Sequence, residues 1–491
     1  MLAKFNRFAY ISSTFISYGL YSLINRKEKA QDLLFYRLSN LGGIYVKFLQ
    51  LLVLSDGVTE KNAEKFNDAL AVYDQVKYEH LDIKGLLLKE LGEISVHIQL
   101  DNDFPIAAGS FAQVYEGNLN GQRIVIKALR PSVINFLSFD LLLLSIAIRS
   151  IVSLQIQGSL NLMAVFSGFK DITMQEVDYD NEVENALVFF KKLENHPVIY
   201  IPKTYQDYST SKLIIQERID GWPLTDLFSA DIDDKFTYTK NVLGTDINFV
   251  MEELAVETLA GSLSDSGAHG DPHPGNIYLL SNNKVALIDF GIRGTVQKYQ
   301  PELLRLISQF VDVYKGEFDP EKFSLAMIGY YVPELTNSIQ TLSAYFDRQD
   351  LINSTMDEVT QSMSRAIESS KKNPTVSALI DQYQMVNLFM QVVNRNNRFG
   401  LKISIEDPVF IRSTHIFMKI IRRLGCDMQL LRRAWERVLN EEVQSCAKIN
   451  ISYDGESIDN SMHVISGWLD RLCYSDPRLY NSIMQKWGGI I

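Results

Sequence analysis

Cysteine is scarce in this chain, with three among 491 residues. Cys426, Cys446 and Cys473 stand far apart. That excludes a disulfide framework and the short spacings of a thiolate metal site, and points to a reducing compartment. Net positive charge is missing too. A formal charge of −11 argues against nucleic acid as the main partner. It leaves room for a nucleotide, whose site needs only local positive charge. No repeat, low-complexity tract or long flexible linker is visible, and no stretch reads as a convincing transmembrane helix. Residues 9–24 are mostly apolar between Lys4, Arg7, Arg26, Lys27 and Lys29, but they carry Ser12, Ser13, Thr14, Ser17 and Ser22. They fall short of the roughly 20 apolar residues that a spanning helix needs. A helix packed on the protein, a membrane-surface helix or anchor, and a targeting segment all fit them. Residues 140–156 contain Leu141, Leu142, Leu143 and Leu144, punctuated by Asp140 and Arg149. They read as a buried or membrane-facing amphipathic helix. The expected location is intracellular, peripheral at a membrane.

What is present suits a large globular core: 46% of residues are hydrophobic and 22% charged. The length fits about three average domains, or equally a two-lobed catalytic domain with helical additions. Helical spacing runs through Leu33, Leu34, Leu38, Leu41, Ile44, Val46 and Leu49, and again over residues 84–91. Strand signals follow. Residues 114–117 and 124–127 flank Asn118-Leu119-Asn120-Gly121, and Asn-Gly between β-formers predicts a hairpin. Helical patterning returns over residues 131–195. A strand is expected at 213–216, a helix at 247–263 with Asp246 as N-cap, and a short buried strand at 285–288. From Pro301 onward the pattern is mostly helical. No motif is readable there, and Trp435, Trp468 and Trp487 are simplest as core or interface anchors.

The chemistry gathers in His269-Gly270-Asp271-Pro272-His273-Pro274-Gly275-Asn276 and in Asp289-Phe290-Gly291. Asp271 and Asn276 are five positions apart, the spacing of the aspartate and metal-binding asparagine in the kinase pattern H-R-D-x-x-x-x-N. Asp-Phe-Gly is the second metal-binding element of that pattern. Two acids and an amide on rigid turns suit Mg²⁺ and the orientation of a nucleophile toward a γ-phosphate, so phosphoryl transfer or ATP hydrolysis is the first expectation. Lys127, closing Ile124-Val125-Ile126-Lys127, matches the strand lysine that reaches the α- and β-phosphates of ATP. Ahead of it, Ala107, Gly109 and Ala112 take the glycine positions of a phosphate loop and Val114 keeps its place. Ala107, Ala108, Gly109 and Ser110 are the candidate phosphate-binding backbone. Taken alone, this is a small-residue turn opening a hairpin. Residues 176–185 supply a surplus of carboxylates. On a helix Asp178 and Glu182 would share a face, with Glu176 pointing elsewhere, although an acidic helix is also an ordinary solvated face. Glu217 and Ile219 fall where a hinge backbone would meet adenine; a plain strand exit is the other reading. His269 and His273 lack a third ligand at a familiar spacing, which favours a structural or phosphate-proximal role over metal ligation.

This set resembles the UbiB family of atypical kinase-like proteins, also called AarF-domain kinases, over roughly residues 30–300. The alanine-rich loop, Glu176-x-Asp178, the His269–Asn276 loop and Asp289-Phe290-Gly291 carry the likeness. So does Lys47-Phe48-Leu49-Gln50, placed like the family's K-x-G-Q element. The resemblance implies an α+β, two-lobed protein-kinase-like fold with a small β-rich N-lobe, a helical C-lobe and helical extensions at both ends. Its divisions would be residues 1–100, 101–225, 226–330 and 331–491. It further implies that Glu182 pairs with Lys127 and that Glu176 and Asp178 face Lys47 and Gln50. ATP and Mg²⁺ would be the cofactors, with Mg²⁺ at Asn276 and Asp289 and Asp271 near the transferred phosphate. A membrane lipid or isoprenoid-quinone precursor, and quinone-biosynthesis proteins, would be partners. Leu49 stands where the family has glycine, and Gly109 where it usually has alanine, which loosens the loop. No A-P-E motif follows Gly291, which agrees with a small-molecule, lipid or ATPase role rather than broad protein phosphorylation. Two other readings stay open. His269-Gly270-Asp271 also fits small-molecule phosphotransferases of the aminoglycoside or choline kinase kind, and the whole could be a nucleotide-gated scaffold without turnover.

Overall fold

The computed structural model describes residues 2–23, 33, 36–37, 44–45, 78–109, 111–153, 166, 169–170, 173–230, 232, 234–294, 300–315, 317, 319–331, 333–345, 357–359, 361, 408–427, 429–446 and 458–487. The chain divides into two units. The first is formed by Met1–His196, Tyr200–Gly221 and Ala286–Ile292; the second by Pro197–Ile199, Trp222–Val285 and Arg293–Ile491.

The first unit opens with α1 (Leu2–Leu23) and α2 (Ile83–Leu91). Strands β1 (Ile98–Leu100), β2 (Ala107–Ala108), β3 (Ala112–Leu119) and β4 (Gln122–Leu129) follow. Next come α3 (Pro131–Ser153), α4 (Tyr179–Leu193), β5 (Ile199–Tyr200) and β6 (Leu213–Glu217). The antiparallel sheet runs β1-β3-β4-β6, with β2 added to β3. The expected hairpin forms with Leu119 opposite Gln122. Its two loop residues, Asn120 and Gly121, have φ of 50° and 90°, the left-handed pair that a two-residue turn needs and that Asn-Gly supplies at least cost.

Strand alternation decides which side of this sheet does what. Ile124, Ile126 and Ala128 of β4 point to one face, where Tyr115, Leu119, Leu213 and Ile215 join Ile83 and Leu87 of α2 in a buried cluster. Burying each large aliphatic there contributes about 1.5–3 kcal/mol. Lys127 has the opposite parity and points to the other face. There Leu129 and Ile214 pack on Tyr179 and Val183 of α4. The period-two pattern thus sends one lysine toward the only described helix on that cluster.

α1 packs on α3 through charge. Arg7 donates from Nε and Nη2 to the two oxygens of Asp140, 2.6 Å each, and the Tyr45 hydroxyl donates to Asp140 Oδ1 at 3.2 Å. Asp140 is 3% exposed. Within α3, residues 131–150 have the length and mean hydropathy, 1.8, of a membrane-crossing helix. The buried, paired carboxylate midway marks one side of this helix as protein-packed.

The second unit holds β7 (Trp222–Pro223), α5 (Leu224–Ser229), α6 (Lys235–Leu243) and α7 (Ile247–Ser262). It continues with β8 (Ala268–His269), β9 (Ile277–Leu280), β10 (Lys284–Leu287) and β11 (Arg293–Gly294). The sheet order is β5-β10-β9-β7, Ile199 of β5 belonging to this unit, with β11 and β8 as a separate antiparallel pair. The rest is helical: α8 (Gln300–Lys315), α9 (Pro320–Tyr331), α10 (Pro333–Tyr345), α11 (Pro408–Leu424), α12 (Gln429–Cys446), α13 (Ile458–Ser475) and α14 (Pro477–Trp487). Asp246 caps α7 as its sequence position suggests, accepting from Asn248 N–H and Phe249 N–H. Arg433 and Arg437 of α12 pair with Glu252 and Glu253 of α7. Trp435 and Trp468 are core residues, Trp435 packing near Phe310.

Candidate functional site

In the first unit, Lys127 is the hub. Its Nζ donates to Glu182 Oε1 at 2.7 Å and Oε2 at 2.9 Å, and to Asp289 Oδ2 at 3.0 Å. Lys127 and Glu182 are 55 positions apart in sequence, so this is a tertiary contact between β4 and α4. The side chains are 18%, 1% and 42% exposed for Lys127, Glu182 and Asp289. Burial works against the lysine charge, but Asp289 and Glu182 together outweigh it and hold the ammonium's pKa well above its usual value. Burial pushes the Glu182 carboxyl up to about 7, against the pull of Lys127 and with the push of Asp289.

Asp289 has φ of 64°, a left-handed backbone that a non-glycine residue holds only at some cost. α4 supplies the restraint. Asn185 Nδ2 donates to Phe290 O at 2.9 Å and Asn181 Nδ2 to Gly291 O at 3.3 Å. The Phe290 ring lies 5.2 Å from that of Phe189. One side of a single helix therefore carries Glu182, Asn185 and Phe189, spaced by three and four, and holds both the lysine and the Asp-Phe-Gly turn. A Cβ at Gly291 would sit 3.8 Å from Glu176 Cα and from Glu182 Oε2, so Glu176 borders the same turn. Asp178 is not an interior helix residue sharing a face with Glu182. It is the N-cap of α4, accepting from Asn181 N–H, which is what aspartate does best at a helix start.

The loop ahead of Lys127 is laid out by β2 and β3. Ile106 N–H donates to Val114 O and Gly109 N–H to Ala112 O. Arg130, which follows β4, anchors it: its Nη1 donates to Gly109 O at 3.0 Å, its N–H to Phe111 O, and its guanidinium pairs with Glu79 at 2.9 Å. Ala107 and Ala108 form β2, while Ser110 lies outside the described residues. Glu217 ends β6. Its N–H donates to Lys203 O, and its carboxylate accepts from the Tyr200 hydroxyl and Lys203 N–H. Ile219 follows, half-buried, beyond the strand.

In the second unit, the His269–Asn276 loop is tied by its own side chains. His269, buried in β8, accepts Asp271 N–H at Nδ1, and His273 accepts Gly275 N–H at Nδ1. Asp271 O accepts from His273 N–H at 2.7 Å and from Asn276 Nδ2 at 3.0 Å. Both imidazoles accept a backbone donor at Nδ1, so each ring is oriented by its own loop. Among the described residues no group of three or more His, Cys, Asp and Glu side chains is arranged around a metal position. Lys47 and Gln50 lie outside the described residues.

Sequence reading missed Arg130, Asn181, Asn185 and Tyr179. The first three act through backbone carbonyls far away in sequence, which leaves no local pattern. Tyr179 is 1% exposed at the start of α4, with the Lys127 ammonium 5.5 Å from its ring centroid.

Known proteins bear on this arrangement. Residues 73–317 match the ABC1 atypical kinase-like domain. A probable protein kinase UbiB of Cronobacter sakazakii is 28% identical over 331 residues, 60% of this chain and 58% of that one. This chain thus spans less than two thirds of that relative's length. An uncharacterised, chloroplastic aarF domain-containing protein kinase of Arabidopsis thaliana is 25% identical over 405 residues, 80% of this chain and 71% of its own length. A solved complex of Rv3197 and erythromycin from Mycobacterium tuberculosis is 20% identical, with a TM-score of 0.41, over 86% of this chain and 97% of that one. With a β-sheet lobe, a mostly helical remainder and this domain match, the fold is kinase-like, and the chain belongs to the ABC1 atypical kinase-like family.

Proposed function

We propose that the chain is a Mg²⁺-dependent ATP-binding enzyme, an ATPase or a kinase of a small molecule or lipid, serving isoprenoid-quinone or related lipid metabolism. The observation that carries this is the Lys127 ammonium gripped between Glu182 and Asp289. All three of its hydrogens are engaged, and Asp289 is the more exposed partner. A lysine so held is set to turn to the α- and β-phosphates once Asp289 is drawn to a metal. Asp289 and Asn276 offer the hard oxygen donors that Mg²⁺ prefers, and Asp289 Oδ2 already faces a cation. Bound Mg²⁺ would neutralise charge on the β- and γ-phosphates. In this reading the backbone of Ala107, Ala108 and Gly109, with Ser110 beside them in sequence, would hold the phosphates, Glu217 and Ile219 would meet adenine, and Asp271 would orient the attacking oxygen. By the family resemblance, Lys47 and Gln50 would act with Glu176 and Asp178 to keep a peptide substrate out.

The lipid assignment draws on the resemblance to the UbiB family and on the surface of α1 and α3. Ile16 and Leu20, and Leu142 and Ile146, are exposed apolar pairs, each four residues apart on its helix. Such pairs suit a peripheral membrane contact. The test is ATP hydrolysis by the purified chain with Mg²⁺, with and without liposomes carrying a phenolic quinone precursor. Hydrolysis stimulated by the liposomes and lowered about 100-fold or more by Asp289→Asn is expected. Turnover only with a soluble alcohol would assign a small-molecule phosphotransferase instead. Nucleotide binding without any turnover would leave a scaffold.

A further inference from the structure

Tyr179 has a hydroxyl that the described residues do not explain. Its ring packs with Leu129, Val183 and Ile214, and the Lys127 ammonium lies over its face at 5.5 Å from the centroid. At that distance the ring attracts the cation and steadies it without consuming any of its hydrogens. The hydroxyl is fully buried and has no hydrogen-bond partner among the described residues. Buried tyrosine hydroxyls are ordinarily bonded, because an unmet donor costs free energy that phenylalanine would avoid with the same ring. The residue stands one helical turn before Glu182, beside the same lysine. An acceptor brought by a ligand to Lys127 is the natural partner for that donor.

Resting on the nucleotide reading above, we propose that Tyr179 is a nucleotide-contacting residue. Its ring positions Lys127, and its hydroxyl donates to a phosphate oxygen when Lys127 exchanges Asp289 for the same phosphate group.

Calorimetric titration of the full chain with Mg–ATP, beside thermal unfolding with and without nucleotide, decides the point. Tyr179→Phe is expected to weaken Mg–ATP about tenfold or more, the effect of losing one charge-assisted bond. Without nucleotide its midpoint stays level or rises, because no bond is lost there. Its nucleotide-induced rise in midpoint shrinks. Tyr179→Leu, lacking the ring as well, weakens binding further; should it fail to fold, Tyr179→Phe still decides. Affinity of Tyr179→Phe within twofold of wild type overturns the proposal. So does a fall of several degrees in its midpoint without nucleotide, which would place the acceptor inside the chain. A wild-type chain that binds no Mg–ATP removes the function proposed above and this contact with it. Wild-type binding with unaltered Tyr179→Phe binding removes the contact alone.

Discussion

Replacing Glu182 by glutamine keeps the side-chain shape and removes one charge from the Lys127 cluster. The carboxylate is 1% exposed and takes two hydrogens of Lys127, at 2.7 and 2.9 Å. Glutamine retains one acceptor and turns a second donor toward the ammonium, so one charge-assisted bond is lost, about 1.5–3 kcal/mol. Two features reduce that figure. Lys127 keeps Asp289 at 3.0 Å, so its charge is not orphaned. Burial already disfavours the ionised carboxylate, whose pKa stands at about 7, so its removal recovers part of a desolvation penalty. A net loss of about 1–2 kcal/mol follows, worth roughly 2–4 °C per kcal/mol or less in a chain this long. Glu182→Ala should cost more, toward the 3–5 kcal/mol or so of a broken buried pair, because nothing fills the position. Function should suffer out of proportion. With Glu182 gone, Lys127 is committed to Asp289, the group proposed to leave it for the metal. Mg–ATP affinity and turnover should both fall, turnover by about 100-fold. Urea unfolding gives the first quantity and steady-state hydrolysis the second. Turnover of Glu182→Gln within threefold of wild type would refute the reasoning, as would equal stability losses for the glutamine and alanine variants.

The Glu182 carboxyl, the phosphate loop and the Arg7–Asp140 pair each carry further outcomes. Nucleotide affinity should rise as pH climbs through about 7, where Glu182 gives up its proton and secures Lys127, and level off above. In Asp289→Asn the midpoint should move to lower pH, because a like charge that helps raise Glu182 is gone; titrations at a series of pH values locate both. The folded chain holds the Glu182 proton more tightly than the unfolded chain, whose value is near 4.5. Ionisation therefore removes stability as pH rises from there to about 7. Gly109→Ala meets nothing within 4 Å at its new Cβ and needs no left-handed φ, so thermal unfolding should show no loss and a gain of up to about 1 kcal/mol. Asp140→Asn leaves Arg7 half-paired against the Tyr45 and Phe136 rings. It should cost about 2–4 kcal/mol by chemical denaturation, largely recovered when Arg7 and Asp140 are both made apolar.

How far the sequence discloses this site depends on the reach of each interaction. Asp271 and Asn276 share one loop, and their spacing is local; so are the Asn120-Gly121 turn and the Asp246 cap, each set by backbone conformations within a few residues. Lys127 is legible because strand parity and its place after three β-branched residues are written nearby. The partners of these groups are not. Asn185 meets the Phe290 carbonyl across 105 positions and Arg130 the Gly109 carbonyl across 21, both backbone atoms that carry no residue code, while Arg130 also reaches back to the Glu79 carboxylate. Asp178 shows a different limit. An i, i+4 count treats it as interior to a helix, whereas aspartate's preference for the N-cap begins the helix one residue later.

The side of α4 that carries Glu182, Asn185 and Phe189 has a genetic consequence. Because one rigid rod supports both the lysine and the Asp-Phe-Gly turn, neither can be retuned alone. Substitutions at 182 and 185 should show epistasis: after Asn185→Ala has loosened the turn, a second change at Glu182 should cost less than it does in the intact chain. Sequence drift along this helix is then expected to proceed by paired exchanges, with position 289 as the silent third party to each.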